Sequence, residues 1–562
     1  MSSGILLRRH VAAWAVLSGI LWALAWPGIG GVAPLALIAW LPLLHAEVLH
    51  DRRTKGRGRA FVPYVLLTVL TWNAATSWWF FGVSEPLTTR LVSGLSPMLV
   101  NSVLMLVPWW IKRVVRKWSG DQWSMVALVV AWTAFEHIHH QWDLKWPWFT
   151  MGNVFGAMPA LVQWYEWTGV LGGSLWIWSV VLWVHARIIH PAPATALPIR
   201  GRWPVLAALV LVPVGTSLLL FFTHTEKGTR VEVVIVQPNI DPYGQKFHED
   251  PMVQLDTMLA LAERAITPRT RLVVMPETAL QEEATLDLRS AQPVLHGLWE
   301  NDLGSSASVA RLRAFQQRHP DAALMTGMSS AHLFHNGEEL PVTARGIEGT
   351  GLWYEAYNAA LFLPTDGSLH HYHKSKLVAG VEMMPFEAIL GKLSALSVDL
   401  GGVSGSLGTQ QERSVLHDPA SGIALVPAIC YESVFGEHVG AHVVNGGNLI
   451  AIITNDGWWG DSPGPVQHLT FASLRAIEQR RCIARSANTG ISCWVDQRGV
   501  VHDATDWWTA TAFHADLAMN EELTLYARTG DLIGHSALVA LAMVLGWSVV
   551  RAARSRYRQT HC

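Results

Sequence analysis

The chain has 562 residues, half of them hydrophobic and only 15% charged, with 29 tryptophans and four cysteines. That composition excludes an ordinary soluble enzyme. The formal net charge of −2 gives no basis for a nucleic-acid partner, and four cysteines are too few for a disulfide framework in a chain this long.

The charges crowd into short loops and one long segment, leaving apolar stretches of about 20 residues, the length that spans a bilayer. In chain order, spans are predicted near residues 11–27, 33–48, 61–81, 96–111, 123–140, 160–186, 203–222 and 532–550. This is a polytopic α-helical bundle of about eight transmembrane helices. The first span is not read as a cleaved signal peptide. The region after "LAWPGIGG" runs straight into another apolar stretch, with no small-residue cleavage site.

Basic residues set the expected orientation. Arg8 and Arg9 precede the first span, and Arg52, Arg53, Lys55, Arg57 and Arg59 lie between the second and third. Lys112, Arg113, Arg116 and Lys117 follow the fourth. Arg187, Arg200 and Arg202 separate the sixth and seventh, and Arg551, Arg554, Arg556 and Arg558 follow the last. Eight spans put every cluster on one side, whereas alternate loops carry few, with only Arg90 between the third and fourth spans. Both termini are therefore expected in the cytoplasm and the long segment on the opposite face. Residues 1–224 form an N-terminal membrane domain of about seven helices. Residues 225–528 form the catalytic domain, and 529–562 a last helix with a basic tail.

Three features of the membrane half stand out. Glu136 and Glu166 lie within or beside spans and are expected to face the bundle interior. The run "EHIHH" (Glu136–His140) invites a metal reading, but no further ligand cluster accompanies it. The loop "KWPWFTMGN" (Lys145–Asn153) carries Trp and Phe side chains expected at the membrane interface.

From about 225 to 525 the texture changes. "VEVVIV", "RLVVM", "AALMTG", "NAALFL", "IALVPAI", "LIAIIT" and "SCWVD" read as strands. "DPMVQLDTMLALAERAI" and "PVQHLTFASLRAIEQRRCIA" read as amphipathic helices. Alternation of this kind implies an α/β domain. Residues 281–305 lack a clear pattern and are expected to form a surface loop. Cys482 and Cys493 are either buried small hydrophobes or a bridged pair.

Chemistry concentrates on Glu277 in "VVMPETAL", Lys374 in "HYHKSKLV" and Cys430 in "AICYES". A carboxylate can take the thiol proton, the thiolate can attack a carbonyl, and an ammonium can stabilise the developing oxyanion. Glu277 and Cys430 each follow a short apolar run, as residues at the ends of buried strands do. Taken singly, a cysteine after a strand is more often structural, and the Glu and Lys have ordinary surface readings. A nearby ammonium is expected to lower the thiol pKa.

The context of the three resembles the nitrilase (carbon–nitrogen hydrolase) superfamily, and within it the membrane-bound apolipoprotein N-acyltransferase branch. The matching segments are "VVIVQPNI" (233–240), "MPETA" (275–279), "YNAALFL" (357–363), "YHKSKLV" (372–378) and "ICYES" (429–433). "TNDGWWGDSPGPVQHL" (454–469) and "RSANTGIS" (485–492) complete the set and are specific to the membrane branch. One departure is visible: the family commonly has a stretch like "LVPFGE" where this chain has "LVAGVE". The resemblance implies a four-layer α-β-β-α sandwich. It also implies a Glu277–Lys374–Cys430 triad in which Lys374, not Lys376, is the family lysine. Glu382 is implied to position the lysine, and Glu432 to adjoin the pocket. The backbone N–H of Tyr431 is a candidate oxyanion donor, and Phe247 sits where the branch has an aromatic residue near the site. Asn239, Trp458 and Trp459 also belong to its motifs.

The function so implied is transfer of an acyl chain from a phospholipid, through a Cys430 thioester, to the N-terminal amine of diacylglyceryl-cysteine in apolipoproteins. The setting is the inner membrane of a Gram-negative bacterium, with the catalytic domain in the periplasm. No metal or other cofactor is needed, and a monomer is expected. Two other classes fit the sequence less well. A membrane-tethered amidase or nitrilase shares the triad but needs no elaborate bundle. A transporter is disfavoured because paired intramembrane charges and an evident repeat are lacking.

Overall fold

A computed structural model describes residues 2–54, 61–83, 86–189, 199–289, 293–335, 337–386 and 406–561. Lys55, Arg57, Arg59 and Cys562 lie outside the described residues. The chain divides into two compact units. One comprises Met1–Gly82, Pro86–His224 and Thr529–Cys562, the other Val83–Glu85 and Thr225–Arg528.

The first unit is helical. Each predicted span is mostly helical, from Ser2–Ala25 near the start to Leu532–His561 at the end, with turns at residues 26–27 and 162–164. Among the described residues five stretches are long and apolar enough to cross a membrane: Ala33–Arg52, Leu87–Ser119, Tyr165–Ile189, Trp203–Thr223 and Leu532–Tyr557. Tryptophan builds the interior. Trp22 stacks on Trp72 at 4.5 Å, and Trp40 lies parallel to Trp178 at 5.6 Å and edge-on to Trp132 at 5.0 Å. Each such ring buries 150–250 Å² at most sites, so the cluster supplies much of this unit's packing. Trp148 and Phe149 of the "KWPWFTMGN" loop are also buried, 1% and 4% exposed. The short 3₁₀ turns of Pro147–Phe149 and Met151–Ala157 fold them inward, while Trp146 of the same loop is half-buried. Glu136 does face the interior, where Oε1 accepts from Trp132 Nε1 (2.9 Å) and Met151 N (2.8 Å). Lys112, read from sequence as part of a basic loop, is buried and paired with Glu47.

Among its described residues the second unit carries fifteen strands: β1 Thr229–Gln237, β2 Thr270–Val274, β3 Thr285–Asp287, β4 Val294–His296, β5 Ala323–Phe334, β6 Arg345–Gly346, β7 Trp353–Leu363, β8 His370–His373, β9 Leu416–Asp418, β10 Ile423–Ile429, β11 Leu449–Thr454, β12 Ile483–Ala487, β13 Cys493–Val495, β14 Val501–His502 and β15 Thr511–Met519. A seven-stranded sheet runs β15-β1-β2-β5-β7-β6 with β8 on β7, and a six-stranded sheet runs β14-β13-β12-β11-β10-β9. Pairing is parallel for β1-β2-β5 and for β10-β11-β12, as strands buried on both faces favour.

Three cores explain the apolar runs. Ile235, Val274, Phe362, Ile429, Ile453 and Ala484 bring the two sheets together face to face. Val234, Val273 and Leu324 turn to the other side of the first sheet, against Leu255 and Met258 of the helix Pro251–Ala265 and Leu312 of Ala307–Arg318. Val426, Ile452 and Ile483 do the same on the second sheet, against Val439 of Gly436–Val444 and Ala472 of Pro463–Gln479. The first of these helices starts where its sequence says. Asp250 accepts from Met252 N (2.8 Å) and Pro251 occupies the first turn.

Two expectations need correction. The predicted second helix stops at Gln479, because Arg480 adopts a left-handed φ of 49° and the chain then enters β12. The segment 281–305 is not simply a loop. It contains the β3–β4 hairpin, whose Leu286 and Leu295 pack against buried Trp299 and Leu333. Cys482 and Cys493 are free thiols, one in the core between the sheets and the other beneath the outer helices.

Candidate active site

Strand ends present the candidate residues. β2 runs into Met275, Pro276 and Glu277, and Glu277 packs against Gly327 of β5. A Cβ on Gly327 would come within 2.3 Å of Thr278 N and 2.6 Å of Glu277 Cα, so only glycine lets the two segments approach. β8 ends at His373, and Lys374 N then donates to Asn358 O on β7 at 2.9 Å.

The buried Lys374 ammonium donates to Glu277 Oε1 (2.9 Å) and Glu382 Oε1 (2.7 Å). Asn358 Nδ2 donates to the same two oxygens, at 2.8 and 3.0 Å, so two donors and two carboxylates form a closed ring. Glu382 Oε2 accepts from Val378 N at 2.8 Å, which anchors the altered "LVAGVE" loop to the lysine. Lys376 is directed elsewhere, its ammonium 5.2 Å from the centre of the Phe435 ring.

Cys430 follows β10 and opens the 3₁₀ turn Cys430–Val434 with φ +51°. A left-handed non-glycine residue costs about 1–3 kcal/mol and persists only where its surroundings hold it. Here the surroundings are specific. Cys430 O accepts from Ser433 Oγ (2.7 Å) and faces His468 Nε2 (3.1 Å). His468 Nδ1 lies 3.0 Å from Asp456 Oδ1, and Arg485 Nη2 donates to Asp456 Oδ2 at 2.7 Å.

The expected pull of Lys374 on the Cys430 thiol is present but outweighed. Burial pushes the Cys430 thiol well above its ordinary value, the Glu277 carboxylate adds to this, and Lys374 opposes it without winning. The balance at Cys430 thus favours the protonated thiol. Burial would raise Glu277 too, but Lys374, Asn358 and Lys246 hold it below the usual carboxylate range. Burial likewise disfavours the Lys374 ammonium, yet Glu277 and Glu382 outweigh it and keep this lysine charged.

Glu432 has become a brace. Fully buried, its Oε1 accepts from Tyr372 Oη (2.7 Å) and Ser375 N (2.7 Å) and its Oε2 from Ile429 N (2.9 Å), with His438 Nε2 at 3.2 Å. It thus ties the cysteine turn to the loop after Lys374. Against its burial, His438 and these amides hold its pKa down to about 2. Tyr431 packs edge-on against Phe435 at 5.1 Å. Phe247 is 38% exposed and lies nearly parallel to Trp458 at 6.4 Å. Asn239 takes φ +57° and donates from its backbone to Asn488 O at 2.9 Å, a packing role.

Sequence reasoning missed Lys246. It is buried, donates to Thr278 Oγ1, and lies 5.9 Å from the rings of both Phe247 and Trp458. Burial brings its pKa down to about 8, although Glu277 and Cys430 favour its charged form. Nothing in "GQKFHED" distinguishes this lysine from a surface one. A Lys246→Met chain is expected to react about tenfold more slowly below pH 8, because a buried cation beside Glu277 and Cys430 is lost. The parent rate should fall as pH rises through about 8, where Lys246 loses its charge, and the variant should lack that limb. Single-turnover rates across pH check both statements.

The Arg485–Asp456–His468 chain was also unread as a unit, although its members lie in quoted motifs. Burial opposes the Asp456 charge, but Arg485 and His468 hold its pKa down to about 2. Its folded value is depressed, so the pair's contribution is full above about pH 4 and is lost as pH falls through about 2. Asp456→Asn is expected to destabilise the chain by about 3–5 kcal/mol, the scale for breaking a buried ion pair. Thermal unfolding in detergent at neutral pH measures it.

Comparison with known proteins adds two family matches. Carbon-nitrogen hydrolase matches residues 232–522, and the apolipoprotein N-acyltransferase N-terminal domain matches residues 18–183. The chain is 29% identical to the apolipoprotein N-acyltransferase of Chlorobaculum tepidum, with 96% of each chain covered. It is 28% identical to that of Geobacter metallireducens, over 97% of this chain and 96% of that one. Among solved structures, Nit3 of Saccharomyces cerevisiae, a nitrilase-superfamily member, is 15% identical with a TM-score of 0.36. The match covers 55% of this chain and 98% of that one.

Proposed function

The chain belongs to the carbon–nitrogen hydrolase family, and from that premise we propose that it is an apolipoprotein N-acyltransferase of a bacterial inner membrane. What carries the reading is the buried Lys374, bonded to Glu277 and Glu382 in the same electrostatic cluster as Cys430, in a chain whose described residues include five helices fit to cross a membrane. We read the two sheets and their outer helices as an α-β-β-α sandwich, and the helical unit as eight spans. The periplasm holds the catalytic unit, the cytoplasm holds both termini, and the enzyme is a monomer.

In the first half-reaction Glu277 takes the Cys430 proton as Sγ attacks the ester carbonyl of a phospholipid. Lys374 and the Tyr431 backbone N–H stabilise the oxyanion. The carbon–oxygen bond to glycerol then breaks, and the departing alkoxide takes the proton from Glu277. This leaves a thioester and a lysophospholipid. In the second, the α-amine of a diacylglyceryl-cysteine attacks the thioester. Its proton passes by way of Glu277 to the departing Sγ, and an amide remains. Glu382 and Asn358 hold Lys374 and Glu277 in register. Phe247 and Trp458 offer an apolar ledge to an acyl chain. The membrane unit lets both lipids arrive laterally, since each methylene drawn into water costs about 0.8 kcal/mol.

The test is a phospholipid labelled in its acyl chain, given with a diacylglyceryl lipopeptide. An acyltransferase moves label onto the peptide amine. Hydrolysis of small amides without label transfer would instead establish the membrane-tethered amidase, and neither activity would leave the transporter. Orientation has its own check by cysteine labelling in intact cells. A probe near residue 300 is expected to react from outside the inner membrane, and one near residue 56 only after permeabilisation. The opposite pattern would overturn the assigned topology.

A further inference from the structure

The strand that leads into Lys374 reads "HHYH", and alternation along a strand puts His371 and His373 on one face of β8. Facing them is Glu300, at the start of the 3₁₀ segment Glu300–Ser305. The side chains of Glu300, His373 and His371 are 4%, 15% and 35% exposed, so the cluster grades from a buried carboxylate to an accessible imidazole. One ligating atom from each of the three lies within 4.8 Å of the others. We propose that Glu300, His371 and His373 form a binding site for a divalent transition-metal ion of the zinc class, separate from the acyl-transfer chemistry.

Three observations carry this. First, the donor set is borderline-soft: two imidazoles and one carboxylate suit Zn²⁺, Ni²⁺ or Co²⁺ rather than the all-oxygen sites of Ca²⁺ or Mg²⁺. Second, the spacing is compatible with an ion as well as with the hydrogen bond between His373 and Glu300. His373 Nε2 is 2.8 Å from Glu300 Oε1, but His371 Nε2 stands 3.8 Å from Oε2, too far to bond it. Ligands about 2.0–2.1 Å from a tetrahedral zinc lie roughly 3.3–3.4 Å from each other, between the two spacings seen. Small side-chain rotations would bring all three onto one ion, leaving the fourth position to water. Third, the ligands are already oriented. Ser330 Oγ of β5 donates to Glu300 Oε1 at 2.6 Å, and Tyr357 of β7 stacks on the His373 ring at 3.8 Å and 11°. Supports of this kind fix the ligands of metal sites. The site ends one residue before Lys374, so a bound ion would pin the end of β8 from which that lysine projects.

The experiment uses the full-length chain in detergent with no polyhistidine tag and with Cys430→Ala, which removes the active-site thiol as a competing ligand. Titration with Zn²⁺ by calorimetry is expected to show one equivalent of micromolar or tighter binding that His371→Ala weakens at least tenfold. His371 is the most exposed of the three ligands, so its loss leaves packing intact, and Glu300→Gln supplies the second variant. Co²⁺ should give the intense visible absorption of a tetrahedral site, and His371→Ala should abolish it. Equal Zn²⁺ binding with and without His371, or an unchanged Co²⁺ spectrum, overturns the proposal and leaves Glu300 as an ion-pair partner of His373 alone.

Discussion

A Cys430→Ala chain given a phospholipid donor without acceptor is expected to carry no hydroxylamine-labile acyl group, whereas the parent chain accumulates one per molecule. The expectation rests on where Cys430 sits. It turns out of β10 at φ +51°, with its carbonyl facing His468 and bonded to Ser433. Thus the backbone, not only the side chain, is committed to presenting the sulfur. Loss of such a nucleophile costs on the order of 10⁶-fold in turnover. Cys430→Ser separates presentation from reactivity. The hydroxyl keeps the position, but Glu277, held below the usual carboxylate range, is a weak base for a serine. Most activity should therefore vanish there too. Mass spectrometry of the intact protein, before and after hydroxylamine, reads the adduct directly. Normal acylation of lipopeptide by Cys430→Ala would remove the thioester mechanism.

The second large effect belongs to the ring of Lys374, Glu277, Glu382 and Asn358. Lys374→Ala removes the oxyanion donor, which alone is worth about 10²–10³-fold. It also leaves Glu277 and Glu382 without the ammonium bonded to both. Burial then acts on Glu277 against less opposition, its pKa rises, and the remaining rate should shift toward alkaline pH as the base recovers its charge. Glu277→Gln cannot take the thiol proton and is expected to abolish loading at every pH. Glu382→Gln should only slow it, because Glu277, itself held by Asn358, still binds Lys374. Single-turnover loading of the three variants across pH decides the assignment. Wild-type loading by Glu277→Gln would refute its role as base. A Glu382→Gln chain as dead as Glu277→Gln would make Glu382 an essential member. A control addresses folding: Lys374→Ala is expected to lose about 3–5 kcal/mol of stability through its unpaired buried carboxylates. Its rate must therefore be compared at a temperature where circular dichroism shows it folded.

Residue chemistry and local pattern by themselves determined a good deal. Apolar runs of membrane length, the change to short β-rich runs after residue 225, and the strands holding Val234, Phe362, Ile429 and Ile452 are statements about neighbours in sequence. Burial of a continuous run or a helical face leaves its mark locally. The triad candidates were legible for the same reason, since each sits in a compact motif at a strand end. Other elements were hidden because their character comes from distant partners. β12 is not legible as a strand because Arg485 and Ser486 interrupt its apolar pattern and its first two residues, Ile483 and Ala484, continue the preceding helical pattern, and only the parallel pairing to β11 and the contact with Asp456 explain a buried arginine there. Lys246, Asn358 and His468 reach the site across 30 to more than 80 residues of sequence, through Thr278, Glu277 and Cys430. The direction of the Cys430 shift was likewise beyond local reading. A neighbouring lysine favours the thiolate, but burial and the Glu277 carboxylate act together against it, and tertiary packing sets that balance.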